Sequence, residues 1–166
     1  MNPAVRAVLA VDRALTGLAM AAAVALLAVA VAVGFYQVFA RFVLEQPSTW
    51  SEVLVRTTLI WMVYLGAAGA FRQGALVSVD TLYTLARGRA RAALELVITS
   101  ASLVLLAILV WWGWQMAWRV RFQNLAGLEV SIAWGYAAIP VGAAFAIVAV
   151  IAHHFDPVRR ELETAQ

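Results

Sequence analysis

The sequence contains no cysteine and no lysine. Without thiols, structural disulfides, thiolate catalysis and cysteine-based metal sites are excluded. All 12 basic residues are arginine, and charged residues make up only 13% of the chain. The net charge of +3 is modest. No basic run is interleaved with stacking aromatics on a polar face, so the arginines do not form a nucleic-acid surface. Ionisable groups are also nearly missing from the apolar runs, where a pump or a self-sufficient transporter would need them. Ser-His-Asp, Walker and zinc-protease patterns do not occur. The 2 histidines, His153 and His154, are neighbours. Haem ligation across a bundle needs facing histidines on separate helices, so they read as an interfacial pair. No enzymatic activity, cofactor or metal site is expected.

What the chain does have is apolar length. It is 64% hydrophobic over 166 residues, too apolar for a soluble domain of that size. Its charges divide it into four runs, each near the ~20 residues that a spanning helix needs. These place spans at approximately 14–40, 50–71, 94–118 and 130–155. The expected fold is an all-α integral membrane protein of one domain, 1–166, with four transmembrane helices. The first run is too long for the apolar part of a cleaved signal and reads as a retained span. Segment 78–86 places Val79, Leu82, Tyr83 and Ala86 on one helical face. It reads as a short amphipathic interfacial helix between the second and third spans. The polar tail, 156–166, follows the last span.

Arginine placement gives the orientation. Arg6, Arg13, Arg72, Arg87, Arg89, Arg91, Arg159 and Arg160 fall on one side; Arg41, Arg119 and Arg121 fall on the other. Both termini are therefore expected in the cytoplasm. Arg87, Arg89 and Arg91 should sit among lipid headgroups. Trp50, Trp111, Trp112, Trp114, Trp118 and Trp134 fall at the outer ends of their spans, as an aromatic belt does.

Polar side chains inside the spans have bland roles. Thr57, Thr58, Thr99, Ser100 and Ser102 can bond back to their own helix. Pro140 should kink the last span. Small residues in "LGAAGA", 65–70, allow close approach of a neighbouring backbone. The strongest polar feature is "STWSEVLVR", 48–56. Thr49 and Glu52 have the spacing of a capping box, and Glu52 and Arg56 are an i,i+4 pair. Capping accounts for Glu52. It does not account for Arg56, which lies about 10 Å along the axis at 1.5 Å per residue. Facing lipid at mid-depth would cost it about 2.5–3.5 kcal/mol. Two readings stand: a helix cap with one internal pair, or a pair that also contacts another subunit.

The same stretch carries a family resemblance. "QPSTWSEVLVR", Trp61, "LGAAGAFRQGALVSVD" and "LEVSIAWGYAAIPVGAAF" resemble the DctQ-like small membrane subunit of tripartite ATP-independent periplasmic (TRAP) transporters. The matching positions include Pro47, Thr49 to Glu52, Arg56, Trp61, Leu65 to Ala68, Gly74, Val79, Asp80, Ser131, Trp134, Tyr136 and Pro140 to Gly142. Two departures show: Val53 stands where the family often has a second acid, and Leu76 where it often has a histidine. The resemblance implies a non-catalytic subunit in the bacterial inner membrane. It would brace a large transport subunit during sodium-driven uptake of an organic acid delivered by a periplasmic binding protein. On this reading Trp50, Glu52, Arg56, Trp61, Gly66 and Gly69 would face the large subunit. Arg41, Arg119 and Arg121 would lie near the docked binding protein. The rival is a self-sufficient four-helix exporter. Such exporters depend on a membrane-embedded acid in the first helix, and none lies between Arg13 and Arg41.

Overall fold

The computed structural model describes residues 3–46, 48–73, 89–125 and 127–155. Four helices dominate it: α1 (Pro3–Phe42), α2 (Thr49–Gln73), α3 (Arg89–Arg119) and α4 (Ala133–Phe155). All four are long and apolar enough to cross a membrane. In hydrocarbon a spanning segment must satisfy its own backbone groups, and a helix does so within one segment. No strand occurs among the described residues. An isolated bridge, Asn124 to Ser131, lies in the α3–α4 connection. The interfacial helix expected at 78–86 and the tail 156–166 lie outside the described residues.

The helices overrun the apolar runs. α1 starts at Pro3, where a proline costs the helix nothing, and carries Arg6, Asp12 and Arg13 ahead of the apolar segment. α3 starts at Arg89. Charge marks where lipid ends; it does not mark where a helix ends.

In space the order is α1, α2, α4, α3. α2 lies between α1 and α4, α4 carries α3 on its far side, and α1 touches α4 over a smaller area. Small residues set these distances. Ala19 and Ala23 of α1 meet Leu65 and Ala68 of α2 in one buried cluster. Leu106 of α3 meets Ala143, Ala146 and Val150 of α4 in another.

Two contacts are close enough to require glycine. A Cβ on Gly142 would lie 2.6 Å from both the Cβ and the carbonyl oxygen of Tyr64, so α4 presses against the α2 backbone. A Cβ on Gly113 would lie 2.9 Å from Pro140 Cδ, so α3 rests on the proline ring of α4. α4 runs continuously through Pro140.

The α3–α4 connection folds over the start of α4. Ser131 Oγ donates to the Arg121 carbonyl at 2.7 Å and accepts from Ala133 N at 3.2 Å. It thereby satisfies one of the free amides at the helix start. Gly127 has φ +79, and a Cβ there would sit 2.9 Å from Thr49 Oγ1. The connection therefore rests directly on the first turn of α2.

Candidate subunit interface on the second helix

The start of α2 differs from the expected capping box by one residue. Thr49 is already helical, so Ser48 holds the cap position. Ser51, fully buried, donates from its hydroxyl to the Ser48 carbonyl at 2.8 Å. Ser48 Oγ is buried without a partner among the described residues. Glu52 lies one position too deep to reach back, and its carboxylate turns outward instead. It accepts from Arg56 Nη2 at 3.0 Å, with both side chains well exposed.

The exposed pair begins a stripe. At 3.6 residues per turn, Glu52, Arg56, Leu59, Ile60 and Val63 share one face of α2. All five are exposed. Arg56 and the four residues Leu59, Ile60, Val63 and Tyr64 line an open surface groove of about 290 Å³. One turn further the stripe becomes flat. Leu65, Ala68 and Gly69 of "LGAAGA" are buried in the chain's own packing, whereas Gly66, Ala67 and Ala70 are only half-buried. Among the described residues, no neighbouring atom beyond the helix's own backbone lies within 4 Å of the place a Gly66 Cβ would take. Two threonines of α2 bond back to their own helix. Thr57 Oγ1 donates to the Val53 carbonyl at 2.9 Å, and Thr58 Oγ1 to the Leu54 carbonyl at 2.9 Å.

Three of the six residues assigned to an interface from sequence touch other parts of this chain. Trp61 Nε1 donates to the Trp134 carbonyl at 2.9 Å, joining α2 to the first turn of α4. Trp50 packs a tilted ring against Tyr36 of α1, centroids 5.7 Å apart. Gly69 receives the Met20 side chain of α1. Glu52, Arg56 and Gly66 face away from the bundle.

A second polar centre, which sequence reasoning missed, lies at the opposite end. Asp12 of α1 is fully buried. Its carboxylate accepts from Arg72 Nε of α2 and, at 3.1 Å, from Thr16 Oγ1 one turn along α1. The Arg72 carbonyl is 3.2 Å from His153 Nδ1 of α4. Three helices are thus tied at one level by a single connected group. The signal was faint: Asp12 and Thr16 share a helix face, and Arg72 closes an uncharged run. Nothing in their order linked positions 60 residues apart.

The other flagged arginines divide similarly. Arg41 lies 6.0 Å from the Phe42 ring centroid. Arg119 ends α3. Arg121 stacks over Trp118 and Phe122, 4.1 and 4.3 Å from their centroids. Arg89 and Arg91 lie in the first turn of α3, and Arg87 is outside the described residues.

Comparison with known proteins identifies the family. Residues 30–160 match the family model described as tripartite ATP-independent periplasmic transporters, DctQ component. The chain is also similar to the sialic acid TRAP transporter small permease protein SiaQ of Vibrio cholerae serotype O1. The two are 32% identical over 124 residues, 75% of this chain and 72% of that one.

Proposed function

This chain belongs to the DctQ component family of TRAP transporters, a small permease subunit of the inner membrane, and from that membership we propose that it braces a large transport subunit through the outward stripe of α2. Members of the family are transporter subunits and not enzymes. The observation that carries the proposal is the Glu52–Arg56 pair, exposed on a membrane-spanning helix. Two formal charges against hydrocarbon are costly, and protein-facing placement relieves that cost. Below the pair, half-buried Gly66, Ala67 and Ala70 offer a flat surface on which a neighbouring helix can lie. Trp50, Trp61 and Gly69 stand behind this surface and hold α2 against α1 and α4.

The system served would be sodium-driven uptake of an organic acid, with a periplasmic binding protein delivering it. Sialic acid, named for the relative, is one member of that class. Both termini would be cytoplasmic. Arg41 and Arg119, near the ends of α1 and α3, would lie closest to the docked binding protein.

The test is a set of charge changes assayed by co-purification with the large subunit. Reversal at either position, Glu52→Arg or Arg56→Glu, should reduce recovery of the complex roughly tenfold or more, as losing a desolvated charge contact does. The double exchange restores an internal pair in the wrong direction and should stay low. If the exchange recovers the parent level, the pair serves α2 alone. Uptake into liposomes by this chain without any partner would instead favour the exporter reading.

A further inference from the structure

The outer face of α3 carries a feature that bracing does not use. Trp114 and Trp118, one turn apart, stack with centroids 6.5 Å apart and planes 17° from parallel. With Gln115 they line an open groove of about 300 Å³. Above it stands Arg121, held over the Trp118 ring at 4.1 Å and the Phe122 ring at 4.3 Å. Its Nη1 donates to the Trp118 carbonyl at 2.9 Å. These contacts fix the guanidinium but do not neutralise it, because none is with a carboxylate. No ion pair of Arg121 occurs among the described residues. A planar cation fixed on aromatic faces, with N–H groups to spare, suits a phosphate oxygen.

Toward the membrane interior the same helix face continues through Trp111, Ala107 and Val104, all exposed. From position 114 to 104 this track runs about 15 Å, half the ~30 Å hydrocarbon thickness. α3 packs on α4 by its opposite side, through Leu106 and Gly113. The track is therefore free of the bundle along one leaflet's depth.

We propose that this face binds one anionic glycerophospholipid, its phosphate on Arg121, its glycerol region beside Gln115, and an acyl chain along Trp114, Trp111 and Val104. Charge complementarity selects the occupant. The groove is apolar where a chain would lie, and its polar end offers an unneutralised cation. A zwitterionic lipid would bring its own ammonium group to that cation and gain less.

The probe is phosphatidylglycerol mixed equally with phosphatidylcholine in nanodiscs. The full chain is released from them, and the retained lipids are measured by native mass spectrometry. The parent should retain phosphatidylglycerol over phosphatidylcholine by roughly fivefold, the size of effect one interfacial basic residue gives. Arg121→Gln should return the ratio to that of the bulk. Arg119→Gln, which removes the same charge at the same helix end without touching the two rings, should leave the enrichment in place. Trp118→Leu should reduce it by removing the platform, with circular dichroism confirming unchanged helicity. A parent that retains the bulk ratio overturns the proposal. So does equal loss from the Arg119 and Arg121 variants, which would mean general charge attraction. Enrichment that vanishes when the complex with the large subunit is used would make the face a protein contact, and also overturns it.

Discussion

Asp12 and Arg72 place a charge pair where only one member is sealed from solvent: the Asp12 side chain is 1% exposed and the Arg72 side chain 23%. Breaking a buried pair by removing one partner is far costlier than removing both, and here the sealed member is Asp12. Arg72→Leu, which leaves the buried Asp12 carboxylate without this guanidinium, should lower stability by about 3 kcal/mol. Asp12→Leu together with Arg72→Leu should recover most of that loss. Denaturant unfolding in detergent gives both numbers, and additive losses would mean that the two residues act separately. The glycines make a second contrast at this scale. Gly142→Ala drives a methyl into Tyr64 backbone atoms that have no way to yield, a cost on the order of 1–3 kcal/mol. At Gly69 the obstacle is the Met20 thioether, which re-packs easily. Gly69→Ala should therefore be close to neutral in the same assay.

Sequence marks some features of the elements and not others, for physical reasons. The four spans are legible because lipid permits few charges over ~20 residues. The helix ends are not, because Arg6, Asp12 and Arg13 are compatible with a helix outside the hydrocarbon. The Glu52–Arg56 pair was legible because i,i+4 geometry is local. Its neighbour, the expected Thr49 cap, is displaced by one residue: Thr49 is already helical and Ser48 holds the cap position. Trp61 donates its indole N–H to the Trp134 carbonyl, a neighbour that nothing in the sequence order marks. Asp12 was overlooked since its partner is far away in the chain. The α3–α4 connection offers a direct element-scale test. Gly127 combines a left-handed φ with contact to Thr49. Gly127→Ala should cost about 1–2 kcal/mol from the backbone alone. It should also raise amide hydrogen exchange at the start of α2, which the connection covers. Unchanged exchange there would mean that the connection does not support α2.

At the scale of the whole molecule, the chain is two helix pairs side by side. α1 with α2 and α3 with α4 each share a buried cluster, and α2 against α4 joins them. Membrane helices form first and associate afterwards through packing. A chain divided between positions 76 and 84, with both pieces expressed together, should therefore assemble and co-purify. Phe substituted at Gly142 should prevent this, because the joining surface depends on the close approach to Tyr64. Assembly that survives the Phe substitution would show that the two pairs are held together elsewhere.

The open space beside Gly66 has a practical use. A single thiol placed there projects from the helix, and its Cβ displaces no atom of the described residues. With no native cysteine to compete, every label or cross-link formed would originate at that one point. A spin label at Gly66 should be mobile when the chain is purified alone and immobilised when the large subunit is present. Such a label turns the proposed contact into a binding curve, read without altering either charge of the pair.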